Sequence, residues 1–272
     1  MNVDRELLRG EDGAGCGGPA LPHRRDLLLG GTALVVAAGV GLMRWRERGL
    51  VYRDLPTLPP FRELVSDGAI STASLALAGL GDGAAPDVAA RAVEVRADPC
   101  AALFGGPVSG GVLPIAYFSD FHCPYCRILE GDLTDVLAAD ARLRLVRHEL
   151  PLLGVASMSA AKAVLAAELQ GGYEVMKARL LQAGLITDGV HLRAISGPLG
   201  LDGERLLRDM DSPHVADRLR TSLALGRVFG VLGTPALVIG RTLVLGAISA
   251  RTIRTVVRDE RAMPSPACAS TA

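Results

Sequence analysis

Apolar positions in the second half of the chain follow a strand pattern, then a helix pattern, then a strand pattern again. Residues 113–119 form a short apolar and aromatic run, which is typical of a buried strand. Beyond residue 126 the apolar positions keep to one face of a helix, and they are Ile128, Leu129, Leu133, Val136 and Leu137. Residues 142–149 then alternate between polar and apolar, as on a second strand. The pattern predicts a β–α–β unit.

The chain between about 155 and 230 predicts only helices. Gly, Asp and Pro breaks separate them, at 157–170, 173–182, 201–210 and after Asp211-Ser-Pro, which is typical of a helix N-terminus. Strands return at 236–239 and 242–245, on either side of a Gly240-Arg241 hairpin loop. Ser249 predicts the N-terminal cap of a last helix. We therefore expect an organised domain at 112–262, followed by a loose tail at 263–272.

The first 111 residues show weaker patterns. Residues 1–22 are Gly-rich and charged, which predicts disorder. Arg24 and Arg25 precede an uncharged apolar run at 27–43, which resembles a twin-arginine export signal and could also serve as a retained membrane anchor. Flanking arginines disfavour the alternative of a buried helix. We expect 1–48 to hold this signal or anchor, and the Pro- and Gly-rich residues 49–111 to be a spacer with short packed pieces.

Composition narrows the function classes. The 272 residues include 29 basic and 29 acidic side chains, so nothing favours a nucleic-acid partner. Five cysteines, an odd number in a long chain, do not form the framework of a disulfide-stapled mini-domain. We interpret Cys100 as a small buried apolar residue, with a third redox thiol as the alternative. Cys16 and Cys268 lie in loose termini and receive no role.

The remaining two cysteines form a Cys123-Pro-Tyr-Cys126 motif where the first predicted strand meets the first predicted helix. A helix N-terminus favours negative charge, so Cys123 is expected to ionise readily and to be the exposed, attacked sulfur. Cys126, one turn deeper, is expected to be shielded and to resolve the mixed disulfide. Pro124 suits the first turn of a helix. The motif therefore predicts thiol–disulfide exchange.

A zinc half-site is the alternative interpretation of two cysteines at this spacing. Zinc normally requires two further ligands, and the sequence contains no second Cys-x-x-Cys and no Cys-x-x-His. We therefore expect no metal, and no cofactor other than the redox-active disulfide itself.

Several blocks of sequence, in order, resemble the DsbA-like thiol–disulfide oxidoreductases of the thioredoxin superfamily. They are Asp120-Phe-His-Cys-Pro-Tyr-Cys, Glu149-Leu-Pro-Leu-Leu-Gly, the Ala-rich helix and Gly233-Thr-Pro-Ala-Leu-Val-Ile-Gly. The resemblance covers about 113–258 and implies an α/β thioredoxin-like fold with a helical insertion at about 155–230. It also implies a cis-Pro loop at Thr234-Pro235 that faces the cysteine pair, with the backbone of Thr234 pairing with a bound substrate chain. Tyr125, inside the motif, would help to shape the site.

One position departs from that family. Members often carry a buried acid six residues before the first cysteine, as a proton acceptor, and here that residue is Tyr117. Asp120 is the nearer carboxylate and is the candidate substitute in a proton relay, with transfer through water as the alternative.

The resulting expectation is an exported enzyme that oxidises dithiols of secreted or periplasmic proteins. Its partners would be protein or peptide thiols and a membrane or soluble redox protein that recycles the pair. The expected location is the periplasm, with anchoring in the inner membrane through residues 27–43 as an option. Two alternatives stay open: a disulfide reductase or isomerase, and a membrane-tethered binding or chaperone module without turnover.

Overall fold

A mixed six-stranded sheet lies at the centre of the structure, a computed structural model that describes residues 49–66, 68–72, 86–106, 108, 111–182, 188–263 and 268. The described strands are β1 (Tyr52–Asp54), β2 (Arg62–Leu64), β3 (Ser71–Thr72), β4 (Leu113–Ser119), β5 (Leu143–Glu149), β6 (Gly233–Thr234), β7 (Ala236–Ile239) and β8 (Thr242–Leu245). The large sheet has the order β1-β2-β8-β7-β4-β5, and β3 pairs with β6 in a separate two-stranded sheet. Strand β4 is parallel to β5 and antiparallel to β7.

Helices cover both faces of the sheet. The described helices are α1 (Pro86–Ala97), α2 (Pro99–Phe104), α3 (Pro124–Ala138), α4 (Val155–Glu168), α5 (Tyr173–Gln182), α6 (Gly189–Ser196), a 3₁₀ turn (Gly197–Leu199), α7 (Gly203–Asp209), α8 (Pro213–Phe229) and α9 (Ala250–Arg261). Ser212 and Ser249 are the N-caps of α8 and α9, as their sequence positions predict.

Alternation along β4 builds two cores. Ala116 and Phe118 belong to the cluster that also contains residues of α1, α2 and α8, whereas Ile115 and Tyr117 belong to the cluster with α3 and α9. A third cluster joins α4 to the helices that follow it. The thioredoxin-like fold with a helical insertion is therefore confirmed, with α4 to α8 placed between the β–α–β half and the final hairpin and helix.

The segment 49–111 differs from the expected spacer. Its strands β1 and β2 extend the large sheet, because β2 lies parallel to β8. Phe61 is buried and packs edge-on against Phe229, with ring centroids 5.0 Å apart. Arg62 pairs with the buried Glu260 of α9 at 2.8 Å. Strands of three residues are too short to produce a periodic pattern, which is why the sequence does not reveal them.

Cys100 and Cys268 also differ from expectation, because they form a disulfide. Their Cα atoms are 5.3 Å apart although 168 residues separate them in sequence. The backbone N–H of Val108 donates to the carbonyl oxygen of Cys268 at 3.0 Å, next to this link. The interpretation of Cys100 as a free buried thiol, and of Cys268 as a residue without a role, is therefore wrong. Disulfide connectivity over such a separation cannot be inferred from spacing.

The predicted disorder, export signal and membrane anchor of residues 1–48 fall outside the described residues. Within the described ranges, no helix has the length and apolar character needed to cross a membrane.

Candidate active site

The two cysteines lie at the N-terminus of α3, directly after the turn that follows β4. Cys123 is the N-cap of this helix, and its sulfur accepts a hydrogen bond from the backbone N–H of Cys126 at 3.1 Å. Pro124 is the first helical residue, where its missing N–H leaves no intrahelical bond unmade. Both cysteines are buried. The sulfur of Cys123 therefore sits where the helix N–H groups and dipole stabilise a thiolate.

The loop before β7 meets this helix terminus. The Thr234–Pro235 peptide bond is cis, and the carbonyl oxygen of Thr234 lies 3.3 Å from the Cys123 sulfur. Thr234 itself is buried. The fold thus brings together two motifs 111 residues apart that the sequence identifies separately.

The local environment shifts the pKa values of the two thiols in opposite directions. A hydrogen bond from the Cys126 side chain, helped by one from the Ser71 hydroxyl, outweighs burial and lowers the pKa of Cys123 to about 6. Burial, reinforced by the neighbouring Cys123 sulfur, raises the pKa of Cys126 well above its usual value. At neutral pH the reduced pair therefore consists of a Cys123 thiolate and a Cys126 thiol.

The exposure of Cys123 contradicts the sequence-based expectation. Its relative exposure is 0 %, compared with 3 % for Cys126, so neither sulfur is open to solvent. The expectation of an exposed Cys123 is therefore wrong, and β3 lies next to the loop that faces the pair. Ser71 lies opposite Thr234 and Thr72 opposite Gly233 in an antiparallel pairing. Residues 71–72 thus occupy the strand edge beside the cysteine pair.

The segment leading into β3 is held by a close backbone crossing. The N–H of Ala247 donates to the carbonyl oxygen of Ala69 at 2.9 Å. One residue earlier, a Cβ added at Gly68 would lie 2.6 Å from the backbone oxygen of Leu245. A Cβ at Gly246, where φ is +87°, would lie 2.3 Å from the oxygen of Gly68. The segment therefore docks only because both crossing residues are glycines.

Tyr117 and Asp120, the two positions of interest for proton transfer, are both engaged in hydrogen bonds. The Tyr117 hydroxyl donates to the carbonyl oxygen of Cys126 at 3.0 Å, and burial raises the pKa of this phenol. The Asp120 carboxylate accepts from the Ser157 hydroxyl at 2.6 Å and from three backbone N–H groups, of His122, Leu152 and Leu153. These four bonds tie together the loops around the motif. A relay role for Asp120 stays a prediction.

Glu149 is a buried carboxyl near the pair that the sequence interpretation did not single out as a site residue. It ends β5, is 2 % exposed and lines the same small cavity as Cys126. Burial raises its pKa to about 7. Glu149 begins the Glu-Leu-Pro-Leu-Leu-Gly block that resembles the family, but a carboxylate after an alternating strand gives no signal of burial.

The surroundings of the pair include exposed apolar side chains. Tyr125, inside the motif, and Leu232, two residues before Thr234, are among the large apolar residues that stay accessible to solvent. Across the described part of the chain, no group of three or more His, Cys, Asp or Glu side chains is arranged to hold a metal ion.

Known proteins with similar sequences fall into two groups. The DSBA-like thioredoxin domain family matches residues 114–258, more than half of the 272 residues. The chain is also 30% identical over 171 residues to a Na(+)/H(+) antiporter NhaA from Herminiimonas arsenicoxydans. That match takes in 62% of this chain and 27% of the antiporter. The chain thus spans only about a quarter of that relative, and no transport activity follows from the match.

Solved structures agree with the family match. A thioredoxin-like oxidoreductase from Silicibacter pomeroyi is 35% identical and superposes with a TM-score of 0.54, over 60% of this chain and 98% of that one. The thiol-disulfide exchange protein alpha-DsbA2 from Wolbachia pipientis, 24% identical with a TM-score of 0.52, shares the fold over 64% of this chain and 98% of its own. The protein therefore belongs to the DSBA-like thioredoxin domain family.

Proposed function

We propose that the protein oxidises dithiols of exported proteins, with Cys123 and Cys126 as its redox-active pair. The observation that carries this proposal is the position of the Cys123 sulfur, at the N-terminus of α3 and 3.3 Å from the carbonyl oxygen before the cis-proline. That arrangement presents one sulfur of the pair to a chain bound along β6.

The low pKa of Cys123 supports the oxidising direction. The hydrogen bond from Cys126 and the helix N-terminus stabilise the thiolate, which exists only in the reduced protein. Stabilising the reduced form makes the disulfide form a stronger oxidant. The lowered pKa of Cys123 therefore supports transfer of the disulfide to substrates.

The reaction requires two exchanges. A substrate thiolate attacks the Cys123 sulfur of the Cys123–Cys126 disulfide, the S–S bond breaks, and Cys126 leaves with the electron pair and takes up a proton. A second substrate thiolate then attacks the substrate sulfur of the mixed disulfide. Cys123 leaves as a thiolate, and the substrate keeps the new disulfide. Two electrons and two protons have passed from the substrate to the enzyme and its surroundings.

Substrate binding would use the edge of β6 that β3 now pairs with. An extended chain that pairs with the backbone of Thr234, with Tyr125 and Leu232 offering apolar contacts, would place its cysteine beside Cys123. Residues 71–72 occupy that edge now, so they must leave before a substrate docks.

The sequence pattern supports a location outside the cytoplasm and the partners expected there. The paired arginines before the apolar run at 27–43 support export to the periplasm, with the run either cleaved or retained as an inner-membrane anchor. Substrates are then protein or peptide thiols, and a membrane or soluble redox protein reoxidises the pair. Fractionation with an alkaline wash distinguishes an anchored protein from a released one.

Trapping tests the proposal. A Cys126→Ser variant cannot resolve the mixed disulfide, so we expect it to accumulate exported proteins on Cys123 as adducts that a reductant releases. The matched Cys123→Ser variant keeps a thiol in the same site and should collect few adducts, because Cys126 is the more deeply placed sulfur with the raised pKa. Equal adducts in both variants, or none in either, would contradict the assignment.

A further inference from the structure

A small cavity beside Cys126 is lined by a carboxyl group that the exchange reaction described above does not use. The cavity measures about 20 Å³, which is room for one water molecule. Cys126, Tyr117 and Glu149 are among its lining residues. The resolving cysteine and a buried acid therefore border the same cavity.

Only one carboxylate oxygen of Glu149 has a hydrogen-bond partner among the described residues. Oε1 accepts a hydrogen bond from the Tyr173 hydroxyl, whereas Oε2 is buried and no described residue donates to it. A buried oxygen without a partner is costly, so such atoms are normally satisfied by a water molecule or serve a chemical purpose. One water in the cavity would serve both ends, as an acceptor from the Cys126 thiol and a donor to Glu149.

Burial and the neighbouring charges together give Glu149 a pKa near neutral pH, so both of its protonation states are populated there. Burial is the largest effect and raises its pKa, and the Tyr173 hydroxyl, Arg147 and Arg218 oppose it. Glu130 raises the pKa of Glu149 further, although Arg147 and Lys177 pair with Glu130 at 2.9 and 2.8 Å. The outcome, a pKa of about 7, is that of a group able to give and take a proton at neutral pH.

We propose that Glu149 exchanges the proton of Cys126 through a water in this cavity. When a substrate thiolate attacks Cys123, the Cys126 sulfur leaves with the electron pair of the S–S bond, and the protonated Glu149 delivers its proton to that sulfur by way of the water. In the reverse exchange the Glu149 carboxylate takes the proton back as Cys126 attacks. Glu149 would thus act as the proton acceptor of this chain, in which Tyr117 stands where other members of the family often carry a buried acid. This inference rests on the proposed function of the cysteine pair.

The test uses the full chain, oxidised at Cys123–Cys126 and mixed with dithiothreitol as the attacking thiol. The rate of opening is followed by rapid acid quench, alkylation and mass mapping, between pH 5 and pH 9. For wild type we expect an inflection near pH 7 in addition to the titration of dithiothreitol. Glu149→Gln should lose that inflection and slow the exchange by about 10²-fold at pH 7, the lower end for general acid–base catalysis.

Tyr173→Phe is the companion variant. It removes a hydrogen bond that lowers the pKa of Glu149, so the inflection should move to higher pH without disappearing. If Glu149→Gln does not fold, this shift alone decides the question. A wild-type pH profile in either variant overturns the proposal, as does a loss of rate in Glu149→Gln that is the same at every pH. Wild-type protein that does not react with dithiothreitol at all would instead refute the function of the pair.

Discussion

Replacing Gly68 by Ala should uncover Cys123. The added Cβ would lie 2.6 Å from the backbone oxygen of Leu245 and 3.1 Å from the backbone of Gly246. Neither atom can rotate away, since both belong to the main chain of a hairpin. The docked segment, residues 68–72, must therefore shift or detach. This detachment is what substrate binding along β6 also requires.

The size of the effect follows from the cost of overpacking. Forcing a methyl group into a filled space costs about 1–3 kcal/mol. That penalty falls on the docked state alone, so it raises the population of the undocked state by roughly 5- to 150-fold. The interactions at stake are of the same order, because each net hydrogen bond, such as that from Ala247 to Ala69, contributes about 0.5–1.5 kcal/mol.

The assay is alkylation of Cys123 by iodoacetamide at pH 8, with the modified peptide identified by mass. Since Cys123 is 0 % exposed, wild type reacts only when the segment opens. Gly68→Ala should react about 5- to 150-fold faster, and its pH profile should shift upward because Ser71 no longer donates to the thiolate. Gly49→Ala, where nothing lies within 4 Å of the added Cβ, is the matched control. Equal rates in the two variants would refute the interpretation of residues 68–72 as a cover.

Three further outcomes are expected. The alkylation of Cys123 in wild type should rise with pH around a midpoint near 6, and a midpoint near the usual thiol value of about 8.5 would show that Cys126 and Ser71 do not stabilise the thiolate. Cys100→Ser should lower the free energy of unfolding by about 2–5 kcal/mol in urea titrations under non-reducing conditions, and no change would mean that the 168-residue loop is not closed in solution. Glu260→Ala leaves the nearly buried Arg62 without its carboxylate and should lower the free energy of unfolding by about 3–5 kcal/mol. The matched variant Glu63→Ala breaks a pair whose Arg53 is 68% exposed, so it should lower that free energy by less than about 1 kcal/mol. Equal losses would contradict the importance of burial.

The part of the fold that the sequence predicts is the part built from local signals. Strand β4 begins and ends where the apolar run does, and α8 starts at the Ser212 cap. The hairpin turns at Gly240, whose φ of +56° suits a glycine. The cysteine motif follows the same logic, because a helix N-terminus and a preceding strand are both visible in the sequence. These features depend on neighbours a few residues away.

What the sequence does not predict depends on distant partners. The Cys100–Cys268 link joins two cysteines in segments without regular patterns. The pairing of Ser71 with Thr234 beside Cys123 involves a short segment that gives no sign of docking in the sequence. Glu149 becomes a site residue only because α5 brings Tyr173 to it. Long-range packing decides all three, and periodicity carries no information about it.

The central claim is that Cys123 and Cys126 form a redox pair poised to oxidise other proteins, and its reduction potential tests this most directly. The full chain is equilibrated with glutathione buffers of known ratio, quenched in acid and alkylated. Mass mapping then reads this pair separately from Cys100–Cys268. We expect a potential between about −120 and −200 mV, in the range of disulfide-donating proteins. A value of about −270 mV or lower, typical of reducing thioredoxins and structural disulfides, would contradict the claim.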